Sequence, residues 1–200
     1  MVIVSVEEVS LDCVKITTGT GPSFFLRLSY LKEVLPASLL PGTEFSGGPE
    51  TDILDAGMAY AVERKAVSYL DRSEQCRFIL SAKLTAKGFE KKYIDVALDY
   101  LEAHSWLSDA RYARAWLNNR MISRSEGRSR LAAGLAARGI SRETASEALD
   151  EFFTTTDEAA LCRRALEKCR RLGKNEEKTR IYLRTCGFPF HLIEQMLKMA

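Results

Sequence analysis

The stretch Leu84-Thr85-Ala86-Lys87-Gly88-Phe89 decides the fold, because it is a helix end that the chain repeats. A glycine after the last helical residue readily takes the left-handed conformation that closes a helix, and the apolar residue behind it packs back onto the helix end. The same arrangement returns at Gly139 and Gly187. Each of the three glycines follows a leucine four residues earlier and precedes phenylalanine or isoleucine.

Behind each glycine, apolar residues recur with the spacing of one helical face. They are Ile94, Ala97, Leu98 and Leu101, then Ala145, Ala148, Leu149 and Phe152, then Ile193, Met196, Leu197 and Ala200. Apolar residues of another helix face also recur 26, 22 and 18 positions before each glycine in the chain. The glycines lie 51 and 48 residues apart, which is typical of a tandem array whose units pack on one another.

We therefore predict a mainly α fold, with three tandem three-helix repeats in an elongated curved array. A small N-terminal β-unit precedes them, because Val2, Val4 and Val6 alternate with period two, as in a half-buried strand. The predicted boundaries are residues 1–50 for the β-unit and 51–104, 105–153 and 154–200 for the repeats. We expect the β-unit to cover the exposed apolar end of the array.

Several local features follow from the same patterns. Gly48-Pro49 is interpreted as a linker, and Asp52 as the N-cap of the first long helix. Ser125 is expected to start a later helix. Tyr112, Trp116 and Trp106 are assigned to the core, as the usual burial of these side chains favours.

Charge is distributed unevenly along the chain. Residues 1–55 carry three Lys or Arg against eight Asp or Glu, so the rest of the chain is basic although the total is only +2. There is no run of 18 apolar residues and no basic region before an apolar N-terminal core, so we expect a cytoplasmic protein without a membrane span. The five cysteines lack a CxxC pair and are interpreted as structural thiols.

Arginine stands out in the middle unit, where acids are few. Guanidinium groups bind carboxylate or phosphate through two hydrogen bonds, so a basic stripe on a long array suits a long polyanionic partner. The alternative is an ordinary solvated helix face. Our candidate contact residues are Arg111, Arg114, Arg120, Arg124, Arg128 and Arg130.

No recognisable catalytic constellation accompanies these arginines. Gly19-Thr20-Gly21 is too short for a phosphate loop and fits a hairpin connection. The two histidines lie far apart and no nucleophile motif is present, so we expect neither an enzyme nor a cofactor or metal site.

Parts of the sequence resemble the RecX regulators of the bacterial recombinase RecA. The residues that carry the resemblance are Leu84–Phe89, Ile94, Leu98, Trp106–Ala113, Arg120, Gly127-Arg128, Leu131, Leu135 and Arg138-Gly139-Ile140. It covers about residues 56–200. Ala110 stands where the family usually has an acidic residue, and Cys76 where it often has a serine helix cap.

The resemblance implies a non-catalytic, monomeric protein that lies in the groove of the RecA filament on single-stranded DNA. It would hinder filament growth, ATP hydrolysis, strand exchange and co-cleavage of the SOS repressor. The alternative hypothesis is a basic helical-repeat protein that binds DNA or RNA directly, with an affinity that falls steeply with salt. A weak direct contact with DNA is compatible with both hypotheses.

Overall fold

The computed structural model describes residues 1–199, so Ala200, which we placed on the last apolar face, lies outside the described residues. The chain begins with a three-stranded antiparallel sheet in the order β1-β2-β3. Its strands are β1 (Ile3–Ser10), β2 (Cys13–Thr18) and β3 (Phe24–Arg27). Val6 pairs with Ile16, and Val14 pairs with Leu26.

The rest of the described chain is almost entirely helical. The helices are α1 (Gly48–Leu70), α2 (Arg77–Thr85), α3 (Lys91–Ala103), α4 (Asp109–Ser123), α5 (Arg128–Ala136), α6 (Arg142–Thr155), α7 (Glu158–Arg171), α8 (Glu176–Thr185) and α9 (Phe190–Lys198). The predicted fold class, mainly α with a small N-terminal sheet, is confirmed.

The three repeated glycines end α2, α5 and α8 in the same way. Gly88 has φ +87°, and Gly139 and Gly187 have φ +75° and +87°. At the first of them, the Phe89 N–H donates to the Leu84 carbonyl at 3.3 Å, and the Gly88 N–H donates to the Thr85 carbonyl at 2.9 Å. The corresponding bonds at Gly139 and Gly187 have the same two lengths. This pair of bonds satisfies carbonyls that the helix end leaves without a partner, and it explains why glycine stands at each position.

The chain forms two compact units. The first comprises residues 1–73 and 80–107, and its sheet packs on α1, where Ile16 and Leu26 meet Ile53. A second cluster in this unit joins α1 to α2 and α3, where Leu84, Leu98 and Val62 are fully buried.

The second unit comprises residues 74–79 and the chain from residue 108 onward. Both α4 and α5 pack on α6, around Leu117, Leu135 and Leu149. The helices α7, α8 and α9 pack on one another around a separate cluster that includes Leu183 and Ile193.

Four local predictions are wrong. Gly48-Pro49 opens α1, because a proline in the first turn of a helix loses no intrahelical bond, and Asp52 therefore lies inside the helix instead of capping it. The helix expected to start at Ser125 begins at Arg128, with Gly127 as its N-cap.

The fourth wrong prediction is the burial of Trp106, which is 55% exposed. Ser105 takes a left-handed φ of 60° at the end of α3, and Trp106 N–H donates to the Leu101 carbonyl at 2.8 Å. This turn leaves the next residue, Leu107, to fill the core, where it is 2% exposed. Tyr112 and Trp116 are partly buried and pack against the α4–α6 cluster.

Candidate partner-binding surface

The six candidate arginines lie on α4, on the α4–α5 connection and in the first turn of α5. Arg111, Arg114 and Arg120 are on α4, Arg124 follows its last residue, and Arg128 and Arg130 begin α5. Five of the six form ion pairs within the second unit, so the surface is less uniformly basic than the sequence predicts.

The pairs near the start of α4 are open to solvent. Arg111 Nε donates to Glu74 Oε1 at 2.8 Å, and Arg114 Nε donates to Glu151 Oε2 at 2.6 Å. The side chains of Arg114 and Glu151 are 51% and 60% exposed. Exposed pairs of this kind contribute at most about 1 kcal/mol, so a partner can displace them at small cost.

Arg120 is bound more firmly. Its guanidinium donates to both oxygens of Glu126, at 2.7 and 3.1 Å, and Glu126 is only 8% exposed. The Arg120 Cζ atom also lies 5.2 Å from the centre of the Trp116 ring. Arg124 reaches the same carboxylate only at 4.0 Å. The Arg120 side chain is therefore partly buried and tied to Glu126, whereas the Arg124 side chain is 57% exposed.

The two arginines of α5 differ in whether they form an ion pair. Arg128 Nη2 donates to Asp150 Oδ1 on α6 at 2.6 Å. The side chain of Arg130 is exposed and makes no hydrogen bond or ion pair within residues 1–199. Arg124 and Arg130 are thus the candidates with the most readily available charge.

The helices follow one another as three triplets, α1–α3, α4–α6 and α7–α9. Within the second unit, the contact between one triplet and the next, here called a junction, has the same chemistry twice. At the first junction, the Arg77 N–H at the start of α2 donates to Asp109 Oδ1, in the first turn of α4, at 2.8 Å. At the second, the Arg128 N–H at the start of α5 donates to Glu158 Oε1, in the first turn of α7, at 2.8 Å. An acid that opens one triplet therefore caps the second helix of the triplet before it.

The other contacts of the two junctions also correspond. Cys76 Sγ donates to the Arg138 carbonyl at 3.2 Å, and the Gly127 N–H donates to the Cys186 carbonyl at 2.9 Å. Cys76 thus contacts the end of α5, while Asp109 accepts the Arg77 N–H at the start of α2. The junctions fix the helices on which the arginines lie.

Three acids are buried in the structure, and the sequence analysis identified none of them as buried. Glu63, Asp52 and Glu126 are 2%, 8% and 8% exposed. Their partners are distant in sequence or outside the helical period, so spacing along one helix gives no signal for them.

The thiols are unsuited to nucleophilic chemistry. Burial raises the pKa of Cys162 to about 11 and raises the pKa values of Cys76 and Cys186 above their ordinary value. A thiol must ionise to act as a nucleophile, so these groups stay unreactive at neutral pH. Within residues 1–199 no group of three His, Cys, Asp or Glu side chains could hold a metal ion, and no helix is long and apolar enough to cross a membrane.

Known proteins resemble this chain in sequence and in fold. The family model described as "RecX, second three-helix domain" matches residues 108–149. The regulatory protein RecX of Treponema pallidum (strain Nichols) is 46% identical over 57% of this chain and 70% of its own length. The RecX protein of Thermus thermophilus is 34% identical over 68% of this chain and 89% of its own length.

A crystal structure of a regulatory protein RecX has the same fold. It superimposes with a TM-score of 0.75 over 98% of both chains, at 19% sequence identity. At that identity the likeness concerns the fold alone, so the sequence matches carry the family assignment.

Proposed function

We propose, since the chain belongs to the RecX family of regulatory proteins, that it regulates the recombinase RecA without catalysing a reaction. In this proposal it binds the RecA filament on single-stranded DNA, in the filament groove, as a monomer. It inhibits filament growth, ATP hydrolysis, strand exchange and the SOS co-protease activity. The observation that carries the proposal is the family membership together with the arginines of α4 and α5.

The contacts of the arginines support a role in binding. Arg114 forms a solvent-exposed pair, Arg124 makes only a 4.0 Å contact, and Arg130 has no partner within the described residues. Such side chains can exchange an internal partner for an acidic group on another protein at little cost. Arg120 belongs to the fold and acts by holding the α4–α5 connection in place.

The state of the buried acids and of the thiols supports a proposal without catalysis. The buried acids are already engaged: Glu63 by Arg27, Asp52 by backbone N–H groups and Glu126 by Arg120. The five cysteines are free thiols, and free thiols are typical of a reducing compartment, which supports action in the cytoplasm.

The test is the ATP hydrolysis of RecA on single-stranded DNA, titrated with the full-length chain at substoichiometric ratios. The variant Arg114→Glu/Arg124→Glu/Arg130→Glu should need at least about tenfold more protein for half-inhibition, because each lost charge-assisted contact is worth about 1.5–3 kcal/mol. Arg120 is left unchanged, because reversing its charge would bury a second carboxylate beside Glu126.

The matched control is Arg142→Glu/Arg171→Glu/Arg184→Glu, which makes the same change in net charge at three exposed positions. Inhibition by the control equal to wild type would assign the effect to the α4–α5 surface. An equal loss of inhibition in both variants would mean that the effect depends on the net charge of the chain and not on this surface. A wild-type chain that leaves ATP hydrolysis unchanged would refute the proposal.

Direct binding to nucleic acid is the alternative, and salt dependence separates it. Binding to bare DNA through phosphate contacts should fall by several orders of magnitude between about 50 and 200 mM salt. Tight binding to bare DNA with this steep salt dependence, together with no effect on the ATP hydrolysis of RecA, would favour the alternative.

A further inference from the structure

A cavity of about 630 Å³ lies in the second unit, between the α4–α5 connection, α7 and α8. We call it the α4–α8 cavity. Its lining includes Arg124, Arg130 and Lys168 as cations, Glu126 as the one carboxylate, and the Tyr182 ring. Its volume is within the usual range of small-molecule sites, about 300–1,000 Å³.

Hydrogen bonds hold the walls of the cavity in place. Arg164 on α7 donates to Ser125 Oγ at 2.7 Å and to the Arg124 carbonyl at 2.8 Å, which ties the α4–α5 connection to α7. Ser129 Oγ donates to the Gly187 carbonyl at 2.8 Å, which ties the start of α5 to the end of α8. The cavity is therefore preformed, and a ligand need not order it.

The cations of the cavity exceed its negative charge. Glu126 is already held by two hydrogen bonds from Arg120, outside the set of lining cations. Arg124 approaches Glu126 only to 4.0 Å. The side chains of Arg130 and Lys168 make no hydrogen bond or ion pair within residues 1–199. Like charges that share a cavity repel one another, and an anion between them would remove that cost.

The kind of anion follows from the charge and the size. Three cations around one cavity exceed what a single carboxylate needs, and they match a phosphate group, which carries up to two charges and several acceptor oxygens. A bare ion would fill only a small part of about 630 Å³, whereas an esterified phosphate brings an organic group that can lie along Tyr182.

We propose that the α4–α8 cavity binds a phosphate ester, held by Arg124, Arg130 and Lys168. The same chemistry has two sources, a free nucleotide and the phosphate of a single-stranded nucleic acid. The site lies at the junction where Glu158 caps α5, so an occupied cavity stabilises the contact between the second and third helix triplets. The proposal shares Arg124 and Arg130 with the proposed contact surface for RecA. Its test contains no recombinase, so its failure is distinguishable from the failure of the proposed function.

The experiment titrates the full-length chain, without RecA, with ATP and with a 5′-phosphorylated twelve-nucleotide oligothymidylate at constant ionic strength. Calorimetry measures the affinity and stoichiometry. The variant Arg130→Ala/Lys168→Ala should bind the effective probe at least about tenfold more weakly, since two charge-assisted contacts are lost. Neither side chain has a hydrogen-bond or ion-pair partner within the described residues. The thermal unfolding temperature of the variant should therefore equal that of wild type.

Two further variants make the result specific. Arg142→Ala/Arg171→Ala removes the same charge from exposed positions outside the cavity and should bind like wild type. Lys168→Arg keeps the charge and should retain binding. Saturable 1:1 binding of ATP would identify a nucleotide site, and binding of the oligonucleotide alone would identify a strand. Equal affinity in the cavity variant and the control, or no saturable binding of either probe at millimolar concentration, would overturn the proposal.

Discussion

Glu63 joins three separate parts of the first unit, although it lies in the middle of α1. Its carboxylate accepts hydrogen bonds from Arg27 at 2.5 and 2.6 Å and from the Tyr30 hydroxyl at 2.8 Å. Arg27 Cζ also lies 4.2 Å from the centre of the Tyr100 ring on α3. Burial and the Glu63 carboxylate raise the pKa of Tyr30, which stays protonated and remains a donor.

The change Glu63→Ala should lower the free energy of unfolding by about 3 kcal/mol, because Arg27 lies in a mostly buried site and keeps only the longer contact with Asp12, at 3.6 Å. The double change Arg27→Met/Glu63→Leu should recover most of that loss, since apolar side chains of similar volume replace the pair. Urea denaturation measures both. A loss below about 1 kcal/mol for Glu63→Ala would contradict the assigned network.

Asp52 is the second buried acid of this unit, and it holds a loop instead of capping a helix. Its carboxylate accepts the backbone N–H groups of Lys32, Glu33 and Val34 at 2.9–3.0 Å. Burial raises the pKa of Asp52, but the three donors outweigh it and keep the pKa below its ordinary value of 3.8. The charged form is therefore favoured in the folded chain.

A lowered folded-state pKa means that Asp52 stabilises the fold fully above pH 3.8 and that this stability is lost as the pH falls through the folded-state value. Asp52→Asn should cost about 1–3 kcal/mol at pH 7. Between pH 5 and pH 3 the variant should lose less stability than wild type, as measured by urea titrations at each pH. Parallel losses in the two proteins would contradict this assignment.

At the scale of elements, the same helix end meets three different surroundings. An added Cβ at Gly88 would meet nothing within 4 Å, whereas at Gly139 it would lie 2.5 Å from Phe78 Cβ. At Gly187 it would overlap the backbone of Arg130 in the first turn of α5. Gly139 and Gly187 thus close a helix and also admit the neighbouring helix, while Gly88 only closes a helix.

Alanine substitutions should separate these two roles. Gly88→Ala should cost about 1–2 kcal/mol, the penalty of a left-handed conformation with a side chain. Gly187→Ala should cost about 3 kcal/mol or more, because overpacking against α5 adds to the same penalty. Chemical denaturation measures the free energy of unfolding of both variants. Equal losses would contradict the close contact between Gly187 and the first turn of α5.

At the scale of the molecule, the sheet covers a second apolar face of α1 and α3, beside the core that α1, α2 and α3 form together. Ile3, Ile16 and Leu26 cover Ile53 and Ala56 of α1, and Val96 and Tyr100 of α3 pack against the same cluster. Terminal units of a repeat array need such a cover, because no neighbour buries their outer face.

Deletion of residues 1–46, which ends just before the N-cap of α1, should lower the melting temperature by about 10 °C or more. The apolar face of α1 becomes exposed, and each kcal/mol lost shifts the midpoint by about 2–8 °C in domains of this size. Differential scanning calorimetry measures the shift. A melting temperature equal to that of the full chain would mean that the sheet does not act as a cover.

The sequence by itself determined the repeated parts of the protein. The glycine ends and the apolar faces of Ile94 and Ile193 depend on contacts within a few residues, so local spacing carries the information. Local alternation also predicted the small sheet, but it assigned Val2 and Val4 to the half-buried face of the first strand, whereas Ile3 is buried and both valines are exposed. The family resemblance rested on the same short-range pattern.

Only the tertiary structure decided the rest. Glu63, Asp52 and Glu158 bind groups 18 to 36 positions away, and no periodicity relates them to their partners. The arginines of α4 and α5 look equivalent in sequence, yet Arg120 is tied to a buried acid and Arg130 faces the α4–α8 cavity. Charge is most available for binding where folding leaves it unpaired or in an exposed pair, and pairing depends on which helices meet.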